Sequence, residues 1–595
     1  MNLANVRPVI GVTIALVVSL FGASAASAQV SLVLLPQGAS VERLARDGMS
    51  PGLMSAGLGS VPARQTYLDI GQGNRIFGSL YEEELPGGRV PLDRPVRAAA
   101  ILRRAESAPA DVVPGLLAAT LAEAGEGLAV RSATLGQLPA LVDGLSGNDL
   151  LIAIERPPPA KNRALAIGIA GRGFDGNLTS ESTRLDGYVL STDVAPTVLA
   201  RYGVAIPSQM SGQPIRAEGE VDAAAVVALG DRMAVISERR GPVIGLSLLA
   251  WIVVLGLAAA LTRGAAARAG VRVAGLAVVY LPLVLLAAAG LEPGEGAEML
   301  LVMLGAPVLA AATLAAFGGY RALAVASGLT VLAYAADVVA GSPLTSLSLL
   351  GPNPGLGVRF YGIGNELEAL LAVLVVAGTG AGLTGFAARI SPRRCAVAFL
   401  AVGLGAAFVF AAGRFGADVG AAIVFPLGAA VAAAAIAARR RRSAPLVVAL
   451  PFAVLGLLAL GDLVTGANAH LTRSVLDAGG LGDLGDVAQR RLQLSARSFS
   501  RPIVLVFLPL IAALAALAVA RRERIAAWLA GRPAMRAGLL GAVAATVVGT
   551  LANDSGALLL EIGSAYILVF TGFAWAEAGE AASTQTKSYN SVHHT

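Results

Sequence analysis

The chain has 595 residues, of which 55% are hydrophobic and 14% charged, and its mean hydropathy is +0.70. About a quarter of a soluble domain is charged, so this composition excludes an ordinary soluble protein and predicts a polytopic membrane protein with a soluble part. The net charge of +6 requires no nucleic acid partner, because arginines crowd the predicted cytoplasmic loops. The single cysteine, Cys395, excludes an intrachain disulfide.

The first 28 residues have the features of a secretory signal sequence. Arg7 supplies a short basic start, the run VIGVTIALVVSLF is apolar, and Ala26-Ser27-Ala28 fits a small-residue cleavage site before Gln29. An uncleaved anchor helix is the alternative. Both interpretations export the residues that follow.

Residues 29–240 carry more charge and proline than the rest, which is typical of a soluble domain. Helical spacing predicts one helix in 112–125, with Asp111 as a possible N-cap, and a second in 195–203. Strands alternating with helices predict an α/β layer domain. Three apolar runs bounded by Gly, Pro or Asn predict its buried strands: VSLVLL (30–35), LLIAIE (150–155) and ALAIGIAG (164–171).

Two segments of this domain resemble the alkaline phosphatase superfamily, which includes phosphoglycerate mutases and sulfatases. STDVAPTVLARYGVAIPSQMSGQPI (191–215) resembles the family's late segment, and VERLARDGMSPGLMS (41–55) resembles its early helix. The resemblance implies a central sheet flanked by helices. Members of the family typically hold two metal ions with Asp and His side chains and use a Ser or Thr nucleophile.

The residues for that chemistry are missing here. VSLVLL runs into Pro36 where the family has a metal-binding Asp, and residues 29–240 contain no histidine. We therefore expect a catalytically inactive relative without a metal site or cofactor. Thr66 or Ser60 could occupy the nucleophile region, and the turn GQGNR (71–75) is either a binding loop or a plain surface turn.

From Pro242 onward the sequence predicts an all-α membrane domain that covers 243–575. A membrane span needs about 20 mostly apolar residues. About eleven segments meet this requirement: 243–262, 273–291, 299–319, 322–340, 362–388, 395–412, 419–438, 444–463, 502–520, 537–553 and 556–575.

Arginines in the loops predict the orientation of this domain. They place residues 29–240 on the extracytoplasmic side and the basic loops, including RRRR (439–442), in the cytoplasm. The tail 576–595 is predicted to be cytoplasmic and disordered. Abundant Ala, Gly and Arg with almost no Lys is typical of a GC-rich bacterial genome, so the predicted location is the bacterial inner membrane.

Polar residues gather at the predicted outer ends of these helices. Three motifs carry them: RFYGIGNELE (359–368), GRFGADVG (413–420) and ANDSG (552–556). Ionisable residues inside a membrane point to a functional site, whereas polar residues at helix ends can also form an interface belt. We favour the belt for Asp337 and Asp462. The candidate residues for binding a substrate or an ion are Arg359, Asn365, Glu366, Arg414, Asp418, Asn553, Asp554 and Glu561.

The outer loop 466–501 is rich in arginine and has partial helical periodicity in DVAQRRLQLSARSF. It could form an amphipathic helix on the membrane surface. Arg473 and its neighbours suit anionic headgroups or a phosphorylated substrate, because a guanidinium binds phosphate through two hydrogen bonds. Ordinary interfacial anchoring is the alternative, and His470 alone is weak support for a general base.

The whole arrangement resembles a family of uncharacterised bacterial membrane proteins. Its polar helix ends predict transport or translocation of an anionic or lipid-linked envelope component through an outward-facing cavity. One alternative is a membrane-embedded transferase or hydrolase that acts on a lipid-linked phosphate or sugar. Another is a non-catalytic assembly factor or sensor. Besides this envelope component, the lipid bilayer is the predicted partner. The sequence predicts neither the coupling ion nor the oligomeric state.

Overall fold

The computed structural model describes residues 29–160, 163–261, 264–387, 389–437, 440–465, 492–493 and 495–592. The predicted signal sequence and most of the outer loop, including His470 and Arg473, lie outside the described residues. The described residues form two compact units. One falls within Met1–Asp231 and Gly355–Gly357, and the other within Arg232–Pro354 and Val358–Thr595.

The first unit is built on a six-stranded sheet with the strand order β3-β1-β4-β5-β2-β7. Strand β5 runs antiparallel to β4 and β2, and the other neighbours are parallel, so the sheet is mixed. A second sheet pairs β6 with β8. The strands are β1 (Val30–Leu35), β2 (Ser50–Ser55), β3 (Leu128–Ser132), β4 (Leu150–Glu155), β5 (Leu165–Gly171), β6 (Asn177–Thr179), β7 (Tyr188–Leu190) and β8 (Arg216–Glu218).

Six helices belong to this unit: α1 (Val41–Arg46), α2 (Ala63–Gln72), α3 (Ala99–Glu106), α4 (Leu116–Glu123), α5 (Leu138–Asp143) and α6 (Val194–Tyr202). The core contains the apolar residues of the central strands together with Leu117 and Leu121 from α4 and Val198 and Leu199 from α6. The three predicted strands are confirmed, because fully apolar runs suit a sheet that is covered on both faces.

The predicted start of α4 is wrong. The helix begins after Gly115, which has a left-handed φ of 77°, and Asp111 lies four residues too early to cap it. Glycine adopts this backbone conformation at no steric cost. Gly115 can therefore end the preceding loop at the point where the helix begins.

The second unit consists of helices. They are α7 (Ala223–Leu261, which begins in the residues of the first unit), α8 (Ala265–Leu291), α9 (Glu295–Phe317), α10 (Gly319–Val339), α11 (Pro343–Leu347), α12 (Asn365–Phe386), α13 (Pro392–Ala411), α14 (Ala421–Ile436), α15 (Arg440–Thr465), α16 (Pro502–Ala520), α17 (Arg522–Trp528), α18 (Pro533–Ala552) and α19 (Gly556–Val592). Helix α19 continues beyond the predicted end of the last span at residue 575.

Within the described part of the chain, eight helices are long and apolar enough to cross a membrane. A ninth crossing is formed if α16 and α17, which meet at 74°, are taken as one span. Two further apolar helices, Ala421–Ile436 and Val447–Gly461, are shorter. These helices are those of a membrane-embedded protein. Each predicted span contains a helix, but a total of about eleven crossings remains a prediction.

Helix α12 lies in the middle of the second unit, and nearly every side chain from Leu367 to Ala377 is buried. Small residues let it approach α18. A Cβ added at Gly538 would lie 3.0 Å from the carbonyl of Val376, and one added at Gly380 would lie 2.8 Å from the carbonyl of Ala534. Helices in lipid associate through such close packing. This packing fixes the ends of α12 and α18 beside each other.

Candidate functional site

The three polar motifs meet at one end of the helical unit. Asn365 is the first residue of α12, and Asn553 follows the last residue of α18. The Nδ2 of Asn553 donates to Oε2 of Glu368 at 2.7 Å and to Oδ1 of Asn365 at 3.2 Å. The Nδ2 of Asn365 donates to Oδ1 of Asp554 at 3.3 Å. Two of the motifs are therefore joined by a chain of side-chain hydrogen bonds.

The third motif joins through its backbone. The N–H of Ile363 donates to the carbonyl of Gly416 at 3.1 Å. Gly362 has a left-handed φ of 75°, and a Cβ at this position would overlap the Gly416 carbonyl. The Arg359 guanidinium donates to the carbonyl of Ile363 and to Oδ2 of Asp418, the latter at 3.1 Å. Glycine is required at position 362 because the two chain segments touch there.

Glu368 and Asp418 form the buried floor of this cluster. Glu368 is 0% exposed and Asp418 is 2% exposed, and the two carboxyl groups interact directly. Oδ1 of Asp418 accepts the N–H of Ala421 at 3.0 Å, so this aspartate also caps α14. Oε1 of Glu368 has no hydrogen-bond partner among the described residues. Gly420 packs directly on the Glu368 carboxylate, where any Cβ would overlap both oxygens.

Other candidate residues form an exposed rim. The Arg359 side chain is 34% exposed, and Asn365 and Glu366 are half-buried. Asp554 is exposed, and so is Arg414, which lies in the same loop as Asp418. Glu366 points away from the floor to Arg240, 3.5 Å distant, and Arg240 also donates to the carbonyl of Gly351 at 2.7 Å. The cluster thus combines a buried acidic floor with an exposed polar edge.

Two of the sequence candidates have other positions. Glu561 is half-buried on α19, no hydrogen bond or ion pair within the described chain links it to the cluster, and its Oε1 lacks a hydrogen-bond partner there. Asp337 accepts the N–H groups of Leu344 at 3.0 Å and Thr345 at 2.7 Å, so it caps the short helix α11. The sequence predicts an interface belt for Asp337, whereas the structure gives its side chain the role of a helix cap. The side chain of Asp462 lies outside the described residues.

Glu368 is the residue that sequence reasoning missed. Glu366 was preferred, although both carboxylates open the same predicted span. The signal was the spacing of three between Asn365 and Glu368, which places both side chains on one face of a helix. Glu366 lies on a different face and pairs with Arg240.

Serines from the end of the outer loop also support the site. Ser495 Oγ donates to the carbonyl of Thr550 at 2.7 Å, and the N–H of Ala557 donates to Oγ of Ser498 at 3.0 Å. These bonds hold the turn that carries Asn553 and follow no pattern visible in the sequence. They are structural contacts, since both serines are buried.

A second cluster of charge was also missed. Glu298 on α9 is fully buried and accepts from Arg232 at 2.9 Å and from Arg239 at 3.1 Å. Both arginines lie on α7, seven residues apart, and therefore on one face of that helix. The ion pairs fix α7 to the start of α9.

The candidate nucleophiles of the α/β unit are poorly placed for catalysis. Thr66 lies inside α2, is fully buried, and its hydroxyl has no hydrogen-bond partner among the described residues. Ser60 lies in an exposed bend before α2. No group of three or more His, Cys, Asp or Glu side chains within the described chain is arranged to hold a metal ion.

The GQGNR turn is bound to the rest of its own unit. Asn74 donates to the carbonyl of Asp111 at 3.1 Å and accepts from the Ser211 hydroxyl at 2.9 Å. Arg75 donates to Ser55 Oγ at 3.3 Å and to the carbonyl of Gly357 at 2.7 Å. This turn therefore joins several loops of the α/β unit.

The same unit contains a buried carboxyl group, Asp69. Burial raises its pKa to about 8, although the hydrogen bond from Gln65 and the charges of Arg75 and Arg104 act in the opposite direction. Gln65 Nε2 donates to Oδ1 at 2.8 Å and Gln72 Nε2 donates to the same oxygen at 3.3 Å. A carboxyl group with this pKa is mostly protonated at neutral pH.

Comparisons with protein-family models, with curated proteins and with solved structures found no match to this chain. The α/β fold of the first unit and the apolar helices of the second are observed directly. Membership of the alkaline phosphatase superfamily stays a prediction that rests on residues 41–55 and 191–215.

Proposed function

We propose that the helical unit transports or translocates an anionic or lipid-linked envelope component. The observation that carries this proposal is the meeting of three polar motifs, from different helices, above the buried carboxyl group of Glu368. Buried ionisable groups are costly in a membrane protein and are rarely kept for stability alone. An assembly that only anchored the α/β unit would have no need of them.

The rim and the floor have different roles in this proposal. Arg359 and Arg414 attract an anionic group from water, since both are exposed at least in part. Asn365 and Asp554 provide hydrogen-bonding groups at the same edge. Glu368 and Asp418 lie beneath them and respond to the charge of what is bound.

The orientation of the protein belongs to the same proposal. The arginine-rich loops favour a cytoplasmic location for the opposite helix ends, so the cluster would open to the exported side of a bacterial inner membrane. The α/β unit would then bind or present the component without catalysis. The absence of histidine from residues 29–240 and the burial of Thr66 support an inactive domain.

Lipid translocation by the full-length protein tests this function. The protein is reconstituted in phosphatidylcholine vesicles that contain a trace of phosphatidylglycerol with a fluorescent headgroup, and dithionite quenches the fluorophores of the outer leaflet. Translocation brings inner-leaflet probe to the outside, so we expect the quenched fraction to exceed that of protein-free vesicles. Arg359→Gln should slow this exchange at least roughly tenfold, which corresponds to a loss of about 1.4 kcal/mol of favourable interaction.

The matched control is Arg393→Gln, which removes an exposed arginine from the first turn of α13. This change should leave the exchange rate within about twofold, because exposed charges outside a site contribute little. Equal loss in both variants, or no exchange by the native protein, would reject translocation of anionic lipid.

The rim arginines also suit the alternative of a membrane-embedded transferase or hydrolase, because guanidinium groups bind phosphate well. The same vesicles distinguish the two functions. Mass spectrometry of the probe after incubation shows whether its headgroup is intact. An unchanged probe that has crossed the bilayer supports translocation, whereas a cleaved or exchanged headgroup supports the enzyme.

A further inference from the structure

We propose that Glu368 and Asp418 share one proton. The inference deepens the proposed function, on which its consequence for transport rests. It starts from one atom, Oε1 of Glu368. This oxygen belongs to a fully buried side chain and has no hydrogen-bond donor among the described residues. The carboxyl group that carries it interacts with the carboxyl group of Asp418.

The arrangement of donors shows what is missing at this oxygen. Oε2 of Glu368 accepts from Asn553, and the two oxygens of Asp418 accept from Arg359 and from the N–H of Ala421. Two carboxylate oxygens that approach each other with no donor between them repel. A proton on Oε1 converts this contact into an O–H···O hydrogen bond to Asp418.

The sum of the charges in the cluster also favours one bound proton. Glu368 and Asp418 together carry two negative charges when ionised, and Arg359 supplies one positive charge. The buried cluster is then left with one uncompensated negative charge, which is unfavourable in a medium of low dielectric constant. One bound proton makes the three residues neutral.

The neighbouring charged groups do not change this sum. Glu366 on α12 is paired with Arg240, and Asp337 at the end of α10 is bound by two backbone N–H groups. Asp554 is exposed, and the hydrogen bonds that connect it to Glu368 run through the uncharged amides of Asn365 and Asn553. From α19, Glu561 has no hydrogen bond or ion pair with the floor in the part of the chain that is described.

A proton fits the site better than a metal cation. A metal ion needs several oxygens with free lone pairs, whereas Asn553, Arg359 and the N–H of Ala421 all present donor hydrogens to these carboxylates. Among the described residues, no group of three or more His, Cys, Asp or Glu side chains is arranged to hold a metal ion.

Sharing of one proton would couple the floor to an anionic substrate. With the proton bound, the cluster is neutral and its exposed edge can receive an anion. When the proton leaves to water, the floor regains a negative charge and repels the anion through a medium that screens poorly. Proton and anion would therefore bind together and leave together.

Infrared spectroscopy of the full-length protein in phosphatidylcholine vesicles tests the proton site without any transported substrate. The difference between spectra at neutral and alkaline pH reports protonated carboxyl groups through their C=O stretch. Because the pKa of Asp69 in the α/β unit is raised to about 8, every protein is measured with Asp69→Asn as the background. In this background we expect a band at neutral pH that disappears in Glu368→Gln. The exposed Glu295 on α9 provides a matched control, and Glu295→Gln should retain the band.

The decisive variant is Asp418→Asn. With Asp418 neutral, Arg359 alone balances Glu368 and the new amide can donate to it, so Glu368 should ionise and the band should be lost. A band that persists in Asp418→Asn would show a glutamic acid protonated by burial alone and would overturn the shared proton. A band that is absent when Glu368 and Asp418 are both intact, or that appears only when Na⁺ or Mg²⁺ is removed, would also overturn it.

Chemical labelling of the unaltered protein keeps the proposal testable if a variant fails to fold. Dicyclohexylcarbodiimide reacts with buried carboxyl groups only in their protonated form, and mass spectrometry locates the adduct. We expect labelling of Glu368 that falls as the pH is raised, whereas labelling that is absent at neutral pH would reject the proposal. Neither measurement involves translocation, so the proton site and the proposed function can fail separately.

Discussion

Asp193 in the α/β unit and Glu368 in the helical unit are both fully buried carboxyl groups, but their surroundings differ. Asp193 accepts four hydrogen bonds, from the hydroxyls of Ser180 and Ser182 and from the N–H groups of Leu190 and Gln213. Glu368 accepts a single hydrogen bond, from Asn553, among the described residues. Asp193 thus joins its own turn to the loop of Ser180 and Ser182 and to the segment of Gln213, whereas Glu368 has a single donor.

Glu298 is an intermediate case. It is as deeply buried as Glu368, but Arg232 and Arg239 neutralise it. A buried polar group whose hydrogen-bonding atoms all have partners stabilises a fold. A buried polar group with an oxygen that lacks a hydrogen-bond donor requires another explanation. The comparison therefore separates two structural carboxylates from Glu368, for which we propose a function. The same isosteric change, carboxylate to amide, tests all three.

Glu298→Gln should have the largest effect on stability. Without the carboxylate, the buried Arg232 and the half-buried Arg239 lose their negative partner, which costs about 3–5 kcal/mol of the free energy of unfolding. Thermal unfolding in detergent measures the loss. Glu295→Gln, in the exposed first turn of the same helix, is the control and should change little. A native-like melting temperature for Glu298→Gln would show that Glu298 does not stabilise the fold.

Asp193→Asn should have the second largest effect and lower the free energy of unfolding of the α/β unit by about 2–4 kcal/mol. The amide NH₂ would face two of the four donors, so a buried N–H and a hydroxyl would lose their acceptor. Proteolysis of the full-length protein by trypsin reports opening of the α/β unit, because this unit contains many arginines. The exposed Asp175 offers a control, Asp175→Asn. Equal protease resistance of the two variants would contradict the assigned role.

A pH dependence should arise from Asp69, with a slope of up to about 1.4 kcal/mol per pH unit. Burial raises the pKa of Asp69 from 3.8 to about 8, so between these values the folded state binds one more proton than the unfolded state. Stability of the α/β unit therefore falls as the pH rises from about 4 to about 8 and is flat on either side.

Protease resistance measured from pH 5 to pH 8 follows this dependence. Asp69→Asn should abolish most of the slope and raise stability at pH 8, because the amide stays neutral at every pH. An unchanged slope in this variant would assign the dependence to other groups. The result would sharpen the comparison, since Asp69 is a buried carboxyl group kept neutral for structure.

Glu368→Gln should have the smallest effect on stability, below about 1 kcal/mol. The amide oxygen still accepts from Asn553, and its NH₂ can donate to Asp418 in place of the proposed proton. Translocation of the fluorescent phosphatidylglycerol should nevertheless be lost. A drop in the free energy of unfolding as large as that of Asp193→Asn would place Glu368 among the structural carboxylates and end the distinction.

The elements that sequence reasoning predicted well are those set by long apolar patterns. The runs 30–35, 150–155 and 164–171 are strands because uninterrupted apolar residues suit a sheet buried on both faces. The apolar segments after residue 242 are helices because backbone groups in lipid must bond within their own segment. The start of α4 was missed because Gly115, not Asp111, ends the preceding loop.

The site was predicted in part. Helix-end motifs drew attention to Asn365, Asp418 and Asn553, which do meet. Position along the chain does not distinguish Glu366 from Glu368, and sequence reasoning chose Glu366. Only their partners distinguish them, because Glu366 pairs with Arg240 whereas Glu368 accepts from Asn553. Glu298 was missed altogether, because its arginines lie 66 and 59 residues away along the chain.

The sequence by itself determined the class of protein, an α/β unit followed by apolar helices, because composition and periodicity act locally along the chain. Only the tertiary structure decided which buried carboxylates have hydrogen-bond donors at both oxygens and which have an oxygen without a donor. That distinction depends on donors from other helices and loops: Asn553 for Glu368, Arg359 for Asp418, and Arg232 and Arg239 for Glu298. Charge compensation is a property of neighbours in space, and close packing at glycines such as Gly362 and Gly420 sets which neighbours meet.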